Sequence, residues 1–149
     1  MGTIKNMLLR VQSINLPMQV PIIIDNTKQS IIELNQRQLY NDSEDSNNEA
    51  LRLYGSLSYA LEKNKLNPLP GFGRPDLYLT GAFFRGFNVR VTNTSFFIDS
   101  SDGKTSNLVK KYTEDIFGLT PDSKKEYAKT IVWEGIKSYI KDRSGLVFQ

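Results

Sequence analysis

Three aspartates between residues 99 and 115 come closest, by residue type, to a catalytic or metal-binding set. Asp99, Asp102 and Asp115 have the chemistry to act as a general acid and base or to hold a magnesium ion. No sequence motif fixes their geometry, and in a chain with 16 acidic residues such proximity arises readily by chance. We predict no catalytic residue and no metal site among them.

The acidic segment at 41–50 is a second group of oxygen ligands. Its spacing does not match the calcium-binding loop, which also needs a central glycine. The segment is rich in turn-forming residues and has no apolar side chain before Ala50, so it is predicted to be an exposed loop. A metal site is the alternative interpretation, and its ligands would be Asp42, Glu44, Asp45 and Glu49.

Two glycine-bearing segments were candidates for phosphate binding, but neither has the required spacing. Gly103, Lys104 and Thr105 match the end of a P-loop, yet the first glycine of that motif would fall at position 98, which is Ile98. The sequence GFGRPD at 71–76 likewise departs from the dinucleotide fingerprint G-x-G-x-x-G. We therefore predict no bound cofactor.

The composition removes most other chemistry. The chain has 149 residues with no cysteine and no histidine, which excludes thiol nucleophiles, Ser-His triads and Cys/His zinc sites. Without disulfides, an intracellular or virion setting is favoured over secretion. The net charge of +3 permits contact with DNA without requiring it. No apolar run approaches the roughly 18 residues of a membrane span, so we expect no membrane partner.

Apolar spacing predicts helices in the first half of the chain. An N-terminal helix is expected within residues 1–16, ended by Pro17, and a second at about 21–40. A third is expected at 56–65. The prolines and glycines of 67–75 then predict an irregular crossing, followed by a short helix capped by Asp76.

The second half predicts a hairpin and two helices. Alternating residues favour antiparallel strands over 87–100. A short helix is expected at 104–113, with Gly118 as the residue that stops the helical path after it. A long final helix is expected to begin at the N-cap Thr120 and to end at Gly145. Its core-facing stripe should contain Ala128, Ile131, Val132, Ile136, Tyr139 and Ile140. The whole chain is predicted to be a single α+β domain with a small antiparallel sheet packed with several α-helices.

The stretch GFGRPDLYLTGAFFRGFNV at 71–89 combines four glycines with five aromatic rings. We interpret it as a structural joint near a subunit boundary, in which Gly81 and Gly86 bend the backbone and the rings fix the bend. A ligand cradle is the alternative for this stretch. A base-stacking platform on the sheet is a further alternative, with Arg85 and Arg90 as phosphate contacts and five rings: Phe83, Phe84, Phe87, Phe96 and Phe97. The predicted interface residues are Phe72, Arg74, Tyr78, Phe83, Phe84, Arg85 and Phe87.

The segments PDLYLTGAFFRGFNVRV, FFIDSSDGKTSNLVKKY and IFGLT carry a family resemblance. In their order they resemble the head–tail joining and tail-completion proteins of tailed bacteriophages. The longer run, with QLYNDSEDSNNEALRLYGSLSYALEKNKLNP upstream, is similar to proteins of phages that infect Bacteroides-type hosts, including the crAss-like group. The resemblance covers roughly residues 30 to 143, and its weight lies in the order of elements.

The resemblance implies a structural virion protein that is not an enzyme. Such proteins assemble in the host cytoplasm into closed homo-oligomeric rings, often twelvefold, between the portal or adaptor and the tail. DNA passes through the ring, and non-specific contact with it is expected. A small nucleic-acid-binding module is the alternative function, using the aromatic sheet and the basic final helix. Its predicted contacts are Lys124, Lys125 and Lys129.

Overall fold

Three consecutive helices open the chain. The computed structural model describes residues 2–146 and 148–149, so Met1 of the predicted helix at 1–16 lies outside the described residues, as does Val147. Helix α1 spans Gly2–Gln12, α2 spans Leu16–Asn26 and α3 spans Lys28–Arg37. A π-helical turn at Gln38–Asp42 continues α3.

The predicted boundaries of these helices were wrong at two points. Pro17 does not end a helix but lies in the first turn of α2, where the missing N–H is not needed because first-turn amides have no partner inside the helix. The Asn15 side chain caps this turn by accepting from the Met18 amide at 3.2 Å. The helix expected at 21–40 is two helices, divided at Thr27, whose hydroxyl donates to the Ile23 carbonyl at 2.7 Å.

The acidic segment at 41–50 is only partly exposed, which corrects the prediction. Ser43 and Asp45 are buried, and Glu44 forms a β-bridge with Ala50. The Asp45 carboxylate accepts from the amides of Asn47 and Glu49 at 2.8 and 3.0 Å. This carboxylate folds the loop on itself because it accepts hydrogen bonds from two amides of the same segment.

Helix α4 spans Leu57–Leu66, as predicted, and the Ser56 hydroxyl caps it. No regular element lies between Asn67 and Gly81 in the described chain, which confirms the irregular crossing. Asp76 does not cap a helix, contrary to expectation. The short helix α5 begins later, at Ala82–Arg85, after Gly81 in the left-handed conformation.

The hairpin over 87–100 is confirmed. Strand β1 (Phe87–Val91) pairs antiparallel with β2 (Phe96–Ser100), and Val89 lies opposite Ile98. Phe87, Val89 and Ile98 are buried, whereas Asn88 and Arg90 of β1 are exposed. The sheet therefore presents one face to the core, as the alternation of residues predicts.

The C-terminal part is helical. Helix α6 spans Thr105–Tyr112, close to the predicted 104–113, but Gly118 does not end it, because Thr113 has a positive φ of 68° and a 3-10 turn follows at Glu114–Ile116. Helix α7 (Pro121–Tyr127), a π-helical turn (Ala128–Val132) and α8 (Trp133–Ser144) form the final helix. Thr120 caps it and Gly145 ends it in the left-handed conformation, both as predicted.

The core lies around α3, β1, β2 and the segment between α6 and α7. Ile31, Leu39 and Ile116 are completely buried. The predicted stripe of the final helix is less covered: Ala128 is exposed and its other members are half-buried, while Tyr127 is the buried residue of that region. The α+β class predicted from the sequence is confirmed.

Two buried amide side chains join α3 to the segment before α7. Asn35 donates to the Ile116 carbonyl at 3.0 Å and accepts from the Gly118 amide at 3.2 Å. Gln38 donates to the Gly118 carbonyl at 2.7 Å and accepts from the Thr120 amide at 3.1 Å. Each side chain satisfies two backbone groups that cannot reach a strand or helix partner.

Replacing Asn35 with leucine should therefore destabilise the protein by about 2–4 kcal/mol, because it leaves the buried Ile116 carbonyl and the half-buried Gly118 amide unpaired. Urea unfolding measures the loss. The matched control is Asn47→Leu in the exposed part of the acidic segment, which should change stability by less than about 0.5 kcal/mol. Equal effects of the two substitutions would contradict the bridging role of Asn35.

Candidate functional site

The aromatic joint is a compact cluster of rings at the end of the crossing. Phe83 is buried and contacts Phe87 and Phe117, with ring centroids 5.1 and 5.8 Å apart. Phe84 is half-buried and meets Tyr78 edge to face at 5.4 Å. The rings pack in the tilted and edge-on arrangements that aromatic side chains prefer.

Two glycines permit the close chain path around these rings. Gly81 has φ +78°, and an added Cβ would lie 2.9 Å from the Tyr78 hydroxyl oxygen. At Gly86 a Cβ would lie 2.9 Å from the backbone nitrogen of Asp102, so the loop after β2 would have to move. These contacts agree with the interpretation of the stretch as a bend fixed by packing.

The predicted interface residues divide into two groups. Phe72, Tyr78 and Arg85 are exposed, and Arg74 and Phe84 are half-buried, so these five can contact another molecule. Phe83 and Phe87 are buried in the core, which corrects their assignment to an interface. Their side chains already pack against each other and against Phe117 within the same chain.

A buried ion pair, missed in the sequence, fixes the crossing to α4. Lys63 and Asp76 have side chains only 7% and 2% exposed, and the Lys63 Nζ lies 2.7 Å from the Asp76 Oδ1. Lys63 also donates to the Tyr78 carbonyl. Asp76 accepts from the Asn67 side chain at 3.1 Å and from the Tyr78 amide at 3.0 Å. Burial and the Asp76 charge raise the pKa of the Tyr54 hydroxyl beside it.

A cleft of about 220 Å³ lies next to this ion pair. Residues of α4, of the segment 76–83 and of α6 form its three sides. We call it the α4–α6 cleft. Its lining is mainly tyrosine and aliphatic side chains. Three charged residues of α6 and of the segment before it also line the cleft: Asp102, Lys104 and Lys111.

Helix α1 leaves its apolar stripe uncovered. Ile4, Met7, Leu8 and Val11 recur at spacings of three and four, and all four are exposed, Ile4 by 73%. An amphipathic helix of a globular protein normally buries this stripe. We call these four residues the arm surface.

A second apolar surface surrounds α4. This helix buries Ala60 and Lys63 against its own chain. Large apolar side chains of the helix and of the segments that flank it are exposed instead, Leu66 by 71%. We call this set the crossing surface, and it consists of Leu53, Leu57, Leu61, Leu66, Leu69 and Phe72.

The predicted nucleic-acid contacts lie on the final helix. Lys124, Lys125 and Lys129 are all exposed. Glu126, which lies among them, is engaged by Arg37 through two hydrogen bonds of 3.2 and 2.6 Å, and this pairing lowers the pKa of Glu126. The aromatic platform is not formed as expected, since Phe83 and Phe87 are buried, Phe84 and Phe96 are half-buried and only Phe97 of the five rings is exposed.

Two of the three aspartates considered for catalysis serve local structure. Asp102 accepts from the Lys104 amide at 3.1 Å, and Asp115 accepts from the Thr113 hydroxyl at 3.0 Å. Within the described residues, no group of three or more acidic side chains is placed to hold a metal ion.

Comparison with protein-family models, with curated proteins and with solved structures gave no match. Within residues 2–146 and 148–149, no single helix has the length and hydropathy of a membrane span, although the bent pair Ile4–Gln12 and Leu16–Asn26, at 65°, passes the same test when the two are taken together.

Proposed function

We propose that this chain is a structural subunit of a tailed-phage neck, a head–tail connector or tail-completion protein that assembles into a closed ring. The observation that carries the proposal is the uncovered apolar stripe of α1. The family resemblance, which covers roughly residues 30 to 143, supports the same role. A subunit whose task is to hold neighbours needs contact surfaces and no reactive site.

The two apolar surfaces favour head-to-tail contact. The arm surface lies on α1, whereas the crossing surface lies on α4 and its flanks, so the two are formed by different residues of different elements. A ring of identical subunits requires such heterologous contact, in which one surface of each copy fits a different surface of the next. The arm surface of one subunit therefore docks on the crossing surface of its neighbour.

Helix α1 is attached to its own domain and still presents the arm surface to a neighbour. Helix α1 touches its own domain through α8, and the short link at 13–15 is held by the Asn15 amide, which donates to the Tyr139 hydroxyl at 3.0 Å. Every residue of α1 from Ile4 to Gln12 nevertheless remains exposed. A stable protein contact buries about 800 Å² on each partner, and an uncovered apolar helix can supply a large part of that area.

Electron microscopy and sedimentation of the purified protein test the proposal. We expect closed rings of one size, and antibody labelling of virions should place the protein at the neck. A monodisperse monomer that is absent from virions would contradict the proposed function.

A second function, contact with nucleic acid, is favoured by the final helix. The Arg37 pairing leaves the charges of Lys124, Lys125 and Lys129 without compensation from Glu126. We infer that these lysines contact DNA phosphates. Affinity for duplex DNA should fall steeply with added salt, and replacing all three by glutamine should reduce that salt slope by about two to three. Absence of binding at low salt would refute this function.

A further inference from the structure

The α4–α6 cleft is smaller than a small-molecule site. Its volume of about 220 Å³ lies below the roughly 300–1,000 Å³ of ligand pockets. A cavity of this size, open on one side, fits one large side chain of another polypeptide. The cleft is also distinct from the arm surface, which lies on α1.

The lining of the cleft combines apolar and basic groups in a regular order. Lys104, Leu108 and Lys111 follow one another at spacings of four and three along α6 and its N-cap, so they share one face, and all three line the cleft. Leu108 is half-buried, whereas both lysines are exposed. The apolar residue thus lies between two positive charges.

The opposite side comes from α4. Tyr59 and Lys63 lie one turn apart and also line the cleft, and the Tyr59 ring meets Tyr54 edge to face at 4.9 Å. The charge of Lys63 is balanced by Asp76 at 2.7 Å. The remaining charged residues of the lining are Asp102, Lys104 and Lys111. One negative and two positive side chains leave the cleft with an excess positive charge.

We propose that the α4–α6 cleft binds an acidic peptide segment of a partner protein and takes up one large apolar side chain from it. The apolar side chain packs against Leu108 and the tyrosines, and acidic residues on either side of it meet Lys104 and Lys111. Charge complementarity of this kind sets specificity and orientation in protein contacts. The proposal does not depend on ring formation.

The experiment titrates the full chain with the blocked peptide Glu-Asp-Phe-Asp-Glu and follows backbone amide NMR signals. If rings form, the Leu8→Glu variant supplies monomer, because Leu8 lies on α1 outside the cleft. We expect saturable shifts at Leu79, Gly81 and Leu108. The peptides Glu-Asp-Ala-Asp-Glu and Lys-Lys-Phe-Lys-Lys should bind at least tenfold more weakly.

Matched charge reversals complete the test. Lys104→Glu with Lys111→Glu should weaken binding at least tenfold, whereas Lys5→Glu with Lys141→Glu, at two exposed lysines outside the cleft, changes the net charge equally and should leave binding unchanged. Thermal unfolding confirms that both variants fold; if the first does not, Lys104→Gln alone replaces it and should weaken binding several-fold. Equal binding of the phenylalanine and alanine peptides, equal effects of the two reversals, or the same shifts with inorganic phosphate would overturn the proposal.

Discussion

Replacing Lys63 with methionine is expected to destabilise the protein by about 3–5 kcal/mol, because it leaves the Asp76 carboxylate buried without its counter-charge. Asp76 is 2% exposed and would keep its hydrogen bonds from the Asn67 side chain, the Tyr78 amide and the Tyr54 hydroxyl, none of which carries a positive charge. The Tyr78 carbonyl would lose its donor as well. Urea unfolding followed by circular dichroism measures the free energy of unfolding.

Two controls separate the ion pair from general effects of the substitution. Lys65→Met alters an exposed lysine of the same helix and should change stability by less than about 0.5 kcal/mol. The double variant Lys63→Met with Asp76→Asn should recover part of the loss, since no uncompensated charge remains. A Lys63→Met protein as stable as Lys65→Met would show that the ion pair does not hold the crossing.

Replacing Phe83 with alanine is expected to cost about 3–5 kcal/mol, the usual range for removing a buried aromatic ring. Phe83 is buried and contacts Phe84, Phe87 and Phe117, so the substitution opens a cavity at the centre of the joint. Thermal and urea unfolding of a monomeric background should both report the loss.

Phe72→Ala is the matched control, because Phe72 is 53% exposed and belongs to the crossing surface. It should leave the stability of the monomer within about 0.5 kcal/mol of the unaltered protein while weakening assembly. The pair of variants thus distinguishes an aromatic side chain of the core from an aromatic side chain of the interface. Similar losses of stability in both would contradict the division of the aromatic residues into these two groups.

Local sequence patterns were sufficient to predict a helix end or a strand pair where the residue types themselves favour one backbone conformation. Thr120 and Pro121 marked the start of the final helix, Gly145 marked its end, and alternation marked the hairpin. The prediction that Pro17 ends a helix was wrong because proline, although unfavourable inside a helix, is favourable in its first turn. The proline alone does not show whether a helix lies before it or begins at it.

The tertiary polar contacts could not be read from the sequence. Lys63 and Asp76 lie 13 positions apart, and a lysine among the leucines of α4 is ordinarily exposed. The apolar stripe of the sequence points to Leu57 and Leu61, which are exposed, and the structure buries Ala60 and Lys63 instead. Asn35 likewise meets its partners more than 80 positions away, through contacts that no local spacing encodes.

The interface assignment shows the same limit. Phe72, Phe83 and Phe87 belong to one aromatic-rich stretch, and their residue type is identical. Packing alone decides that Phe83 and Phe87 are buried while Phe72 is exposed. The apolar stripe of α1 was visible in the sequence, but its lack of cover within the chain was not.

Mixing two interface variants tests the head-to-tail contact most directly. Leu8→Glu removes the arm surface and Leu61→Glu removes the crossing surface, and both residues are exposed, so each variant should fold. Sedimentation should find each variant alone as a monomer, since neither carries both surfaces. Equal amounts together should form a 1:1 dimer that grows no further, because one intact arm meets one intact crossing. Assembly of either variant alone, or a mixture that stays monomeric, would contradict the account.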